Sequence, residues 1–113
     1  MKSTKLLITL TLIIGFICRI IFINQFPPSL NWDEISHGYN AYSILKTGHD
    51  EWGILLPTIF RCYGDFKLPV YIYSTVLPVL IFGLNTFSVR LVSILAGSLT
   101  PLIIYFILKK LSP

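Results

Sequence analysis

Three long apolar runs constrain this chain more than anything else in it. Residues 6–23 are interrupted only by Arg19, and residues 68–89 and 91–108 carry no charge at all. A helix crosses a bilayer core with roughly 17–25 apolar residues, so each run is long enough. As buried core helices, the three would need a polar surface around them. The chain has 113 residues, 54% of them hydrophobic, and so short a chain cannot hide that much apolar surface. Its mean hydropathy of +0.74 also excludes disorder, which requires low hydrophobicity and high charge. The expected fold is therefore all-α: a polytopic membrane protein with three transmembrane helices at about 6–23, 68–84 and 91–108.

The charges give this fold a direction. All five acids, Asp33, Glu34, Asp50, Glu51 and Asp65, fall between residues 24 and 67. Outside that window every charge is positive: Lys2, Lys5, Arg19, Arg90, Lys109 and Lys110. The basic residues are scattered and form no patch, so nucleic acid is not an expected partner. Lys2 and Lys5 hold the amino terminus in the cytoplasm by the positive-inside rule. Residues 24–67 then form an extracytoplasmic loop, and residues 85–90 a short inner turn that suits Arg90. Lys109 and Lys110 conflict with this arrangement, because a third span places them outside. The expected location is the plasma membrane, crossed several times.

The first run begins like a signal peptide, but no small-x-small cleavage site follows it. Cys18 is preceded by Ile17, which argues against lipoprotein processing. It reads as an uncleaved span whose Arg19 can snorkel to the interface. Tyr71, Tyr73, Tyr105 and Phe106 stand where interfacial aromatics are expected. Pro69 suits a first helical turn. Pro78 and Pro101 are interior, which membrane helices tolerate. Ala96-Gly97-Ser98 offers a small-residue face for close packing.

The loop 24–67 is far longer than a plain connector and holds both histidines, both tryptophans and eight of the sixteen aromatics. Pro27-Pro28 makes a stiff exit from the membrane. Asn31 with Glu34 three positions on has the spacing of a capping box, and Asp33 and Glu34 favour the positive end of a helix dipole. Ile35, Tyr39 and Tyr42 line up one apolar face, and Gly48 suits a C-terminal cap. Residues 33–46 thus read as an amphipathic juxtamembrane helix along the membrane surface. Residues 54–60, broken by Pro57, form a second candidate surface segment.

From residue types alone, Asp33-Glu34 is either a structural capping pair, the commoner case, or a catalytic carboxylate. A general base needs a carboxylate within hydrogen-bond reach of the attacking hydroxyl. Lys67 is either a helix-end anchor paired with Asp65, worth little if exposed, or a cation aimed at a phosphate. Arg61 can act with it. Trp32 and Tyr39 join Lys67 and Arg61 as candidate substrate-binding residues. Glu34 and His37, three apart on one helical face, can share a divalent metal, although no recognised ligand spacing is present. Hard-cation binding through carboxylates is as plausible as zinc. No cofactor is otherwise indicated. Cys18 and Cys62 form no disulfide or zinc pattern, and no phosphate loop, GxGxxG or GxSxG motif occurs.

The order of these parts resembles the amino-terminal portion of the GT-C glycosyltransferases, which include protein O-mannosyltransferases and the aminoarabinose transferases that modify lipid A. The matching residues are Asn31-Trp32-Asp33-Glu34, then Gly64-Asp65-Phe66-Lys67-Leu68-Pro69-Val70-Tyr71. Phe82-Gly83 follows, and then Ser88-Val89-Arg90-Leu91-Val92-Ser93-Ile94-Leu95-Ala96-Gly97. Each motif is weak alone, and their order and spacing together are specific. The resemblance implies an enzyme that moves a sugar from a polyprenyl-phosphate carrier to an extracytoplasmic acceptor. Asp33 would be the base, Glu34 would support it or help hold a metal, and Lys67 would contact the carrier phosphate. Members of that group have more spans, so this chain is expected to be a fragment, inactive alone and completed by missing carboxy-terminal spans or a partner subunit. The competing expectation is a small three-span accessory protein whose aromatic loop docks a partner. A transport role is disfavoured, because the spans hold no ionisable residue except Arg19.

Overall fold

The computed structural model describes residues 2–111. Met1, Ser112 and Pro113 lie outside the described residues, and so does the side chain of Lys2 on which the expected orientation leans. The chain is mostly helical and forms two compact units, Met1–Ile23 with Ser93–Pro113, and Asn24–Val92.

The first unit holds α1, Lys2–Ile21, and most of α4, Thr86–Leu111. These two helices are long and apolar enough to cross a membrane. Leu12, Ile13 and Phe16 of α1 face Leu95, Ser98 and Leu99 of α4 across an apolar cleft of about 310 Å³. Arg19 does not reach for the helix end as expected. Its guanidinium turns back one turn, with Nη1 donating to the Gly15 carbonyl at 2.9 Å. It also lies close over Gly97, where a Cβ would stand 3.2 Å from Nε.

The second unit is built on α2, Trp32–Thr47, packed against α3, Pro69–Phe82. Ala41, Phe60, Ile72 and Val79 form its core, flanked by Ile44, Leu45, Tyr73 and Val76. Between the helices a hairpin pairs β1, Phe60–Cys62, with β2, Asp65–Lys67, antiparallel. The fold is therefore not purely α. Residues 54–60 lie mostly at the surface, as expected, but not as a helix. They hold a single bridge, His49 to Leu55, and then enter β1.

The second expected span needs correction. Pro69 opens α3 at its first turn, as anticipated, but the helix covers only 14 residues. That is short of the roughly 17 a bilayer core requires. Its tyrosines are tied to neighbouring backbone. The Tyr71 hydroxyl donates to the Val89 carbonyl at 2.8 Å and that of Tyr73 to the Pro57 carbonyl at 2.9 Å. Two helices among the described residues, not three, qualify as spans.

The caps of α2 form where the sequence placed them. Asn31 Oδ1 accepts from the Glu34 N–H at 2.8 Å, and the Asn31 N–H donates to Glu34 Oε2 at 3.0 Å. Gly48 closes the other end at φ 73°, a left-handed conformation open to glycine. The apolar stripe expected on α2 stays outside the core of this unit. Ser36, Gly38, Asn40 and Ala41 face inward, while Ile35, Tyr39 and Tyr42 are exposed. Gly38 permits the start of α4 to approach: a Cβ there would meet Val89 Cγ2 at 2.7 Å. Asn40 is satisfied in the interior, donating to Glu51 Oε1 and accepting from the Glu51 N–H, both at 3.1 Å.

Candidate active site

Two elements meet at the head of α2. The capping box fixes the first helical turn, so Asp33 and Glu34 leave the helix in different directions. The hairpin supplies the cation. Its turn residues, Tyr63 and Gly64, stand at φ 45° and 83°, the paired positive values that a tight two-residue turn demands. Phe60 pairs with Lys67 across the strands, and residues directly opposite share a face. Burial of Phe60 in the core therefore sets Lys67 against the head of α2. Lys67 Nζ lies 2.9 Å from Asp33 Oδ1 and 3.5 Å from Asp65 Oδ2.

Glu34 goes the other way. Its Oε1 accepts from Arg90 Nε at 2.8 Å and its Oε2 from Arg90 Nη2 at 3.1 Å. Arg90 also donates to the carbonyls of Pro27 and Ser29, each at 3.0 Å. One guanidinium thus ties together the exit from α1, the head of α2 and the start of α4. Its hydrogen bonds hold the Glu34 carboxyl below its ordinary value of 4.5, against the opposing effect of burial. Arg90 was expected in an inner turn, away from the acidic loop. The structure places it beside Glu34, because a charge at the head of an apolar run needs a partner.

His37 stands one turn after Asp33, with its ring 4.8 Å from that of Tyr71. Burial pushes its titration below the ordinary 6.5, and the Lys67 charge adds to this, while Asp33 and Glu34 pull the other way. The Lys67 ammonium is held above its ordinary value, chiefly by its hydrogen bond to Asp33.

The structure brings together Asp33, Glu34, Lys67, Trp32 and His37 from the sequence candidates. Arg61 is not brought in. Its neighbour across the strands is Phe66, on the opposite face from Lys67, and its guanidinium stacks 4.8 Å from the Trp52 ring. Tyr39 is also apart: it is exposed with Ile35 and Tyr42, about two turns along α2 from Trp32. Of the Glu34–His37 pair, Glu34 is engaged by Arg90 through both oxygens. Among the described residues no group of three His, Cys, Asp or Glu side chains is placed to hold a metal ion. Sequence reasoning missed Arg90 and Tyr63. Tyr63 could have been found from the Tyr63-Gly64 pair, a hairpin-turn signal of the glycine-containing kind.

Chemically, the head of α2 presents one free-facing carboxylate beside one ammonium, backed by a second carboxylate that is locked in place. Asp33 can accept a proton from a hydroxyl, and Lys67 can neutralise a phosphate. The family model for dolichyl-phosphate-mannose-protein mannosyltransferases matches residues 8–112, and the chain belongs to that family of glycosyltransferases. No characterised protein and no solved structure matches it.

Proposed function

We propose that this chain carries the acceptor-activating surface of an enzyme that transfers a sugar, mannose in the first instance, from a polyprenyl-phosphate carrier to a hydroxyl outside the cytoplasm. The observation that carries this reading is the 2.9 Å pair between Asp33 and Lys67, exposed at the head of α2. When substrates bind, Lys67 exchanges Asp33 for the carrier phosphate. Asp33 takes the acceptor proton, and the acceptor oxygen bonds to the anomeric carbon. The bond from that carbon to the phosphate oxygen breaks, and its electron pair leaves on the phosphate. Lys67 stabilises the charge that develops there. Glu34 does not react; with Arg90 it holds the helix head. The remaining spans of the enzyme, or a partner subunit, supply the other donor and acceptor contacts.

The membrane arrangement follows from the same reading. With α1 and α4 as the two crossings, Lys5, Lys109 and Lys110 share the cytoplasmic side, and the conflict of a three-span path disappears. Residues between the crossings then lie outside. An impermeant thiol reagent added from outside should label Asn85→Cys. Labelling only from the cytoplasmic side would restore the inner turn.

The chemistry is tested by Asp33→Asn in the complete enzyme, which should abolish transfer and leave expression and thermal stability unchanged. Persistent transfer would reduce Asp33 to a helix-head acid and favour an accessory role in which the aromatic surface docks a partner.

A further inference from the structure

Beside the Asp33–Lys67 pair stand two large aromatic side chains that the fold does not use. Trp32 is 72% exposed and Tyr63 61% exposed, yet their rings meet edge to face, with centroids 5.2 Å apart at 73°. Two rings at that angle make an open corner with one flat apolar wall and one edge. Trp32 immediately precedes Asp33, and Tyr63 sits two residues before Asp65, which also contacts Lys67.

Tyr63 reaches this corner at a backbone penalty. It stands at φ 45°, a left-handed conformation that bulky residues rarely adopt and that Asn, Asp or Gly takes readily. Folding alone would favour one of those residues at this turn. An aromatic residue held there against the preference of its own backbone points to a use for the ring.

We propose that Trp32 and Tyr63 form the subsite for the pyranose ring of the lipid-linked donor. The chemistry fits one occupant. A sugar ring has an apolar face of C–H groups that packs on an aromatic wall, and polar edges that suit an indole N–H and a phenol. Its phosphate must reach Lys67, and its anomeric carbon must be within reach of an oxygen deprotonated by Asp33. Trp32 adjoins Asp33 in the chain, and Tyr63 stands on the hairpin that carries Lys67. A polyprenyl tail would use the wall but not the polar edges, and would not need to lie beside the base.

The assignment depends on the sugar-transfer reading, so its test is separable from that of Asp33. In the complete enzyme Tyr63→Asn should hold or raise the melting temperature, because asparagine suits the turn. It should raise donor KM about tenfold with little change in kcat, as expected when ground-state binding is lost. Tyr63→Phe should keep most of the donor affinity. Binding is read directly by Trp32 fluorescence. Polyprenyl-phosphate mannose should shift the emission and bare polyprenyl phosphate should not, and Trp32→Leu should remove the response. A Tyr63→Asn enzyme that melts lower than wild type makes Tyr63 a structural residue and overturns the proposal. So does an unchanged donor KM, or an emission shift of equal size with bare polyprenyl phosphate. If Asp33→Asn leaves transfer intact, the base assignment falls, and the fluorescence comparison still decides the corner.

Discussion

Asp33 and Glu34 are neighbours in the chain, and the two sides of the molecule they face are opposites. On Glu34's side everything is closed. The Arg90 side chain is 8% exposed, its bonds to Glu34 are bidentate, and it also holds two backbone carbonyls. Asp33's side is more open. Its side chain is 58% exposed, and its partner Lys67 is a single flexible ammonium. A planar guanidinium fixes geometry, whereas a lysine is a point charge that can change partners. The closed pair has the geometry of a fixed link, and in the proposed reaction the open pair is the one that changes partners.

This contrast breaks most sharply under mutation. Asp33→Asn should reduce transfer by about 100- to 10,000-fold, the range of a general base, while leaving the melting temperature in place. Arg90→Ala should do the reverse of this order of effects, acting first on the fold. Removing one partner of a buried pair costs roughly 3–5 kcal/mol. The lower end applies here, since Glu34 keeps some contact with water. The loss is read by thermal or denaturant unfolding of the enzyme in detergent. If Arg90→Ala melts like wild type while Asp33→Asn unfolds, the roles of the two acids are exchanged.

Acid should reach the closed pair through Glu34. Its folded-state titration is depressed below 4.5, so its contribution is complete above that value and is lost as the pH falls through the folded value. Arg90→Ala should flatten this acid limb. Smaller effects separate the same two sides. Lys67→Met should raise donor KM and lower kcat, each by about tenfold, because the phosphate contact serves binding and strengthens as charge develops on the leaving group, with little loss of stability because exposed ion pairs contribute little. Asn31→Ala removes half of the capping box and should cost about 1 kcal/mol, seen as a lower melting temperature without a change in donor KM.

Local signals were readable in the sequence because they act over a few residues. Asn31 with Glu34, Gly48 and Pro69 each fixed a helix end by the chemistry of one side chain or one backbone angle. The Asp33 and Lys67 roles were readable only through resemblance, since residue types alone left each with a structural alternative. The Arg90–Glu34 pair joins residues 56 positions apart, and spacing carries no information at that range. The face that α2 turns inward was not legible for a different reason. Ser36, Gly38, Asn40 and Ala41 are small or polar and carry no hydrophobic signal, whereas the readable apolar stripe of Ile35, Tyr39 and Tyr42 stays outside the core. The hairpin escaped notice because strands of three residues are too short to show alternation.

His37 gives the finest measure of the difference between the two sides, because it is sensitive to both. Its folded-state titration lies below 6.5, with burial as the main cause. A depressed histidine favours the folded state while neutral. That contribution is full above 6.5 and is lost as the pH falls from there through the folded value. The charges around it act with opposite signs: Lys67 lowers its titration, and Asp33 and Glu34 raise it. Lys67→Met should therefore move the His37 titration up, and Asp33→Asn should move it down, each read from the imidazole resonances in a pH series. Arg90→Ala should add a further upward shift only if Glu34 then keeps its charge near His37. A histidine that ignores Lys67→Met and Asp33→Asn alike would mean that the open pair does not stand where the 2.9 Å contact puts it.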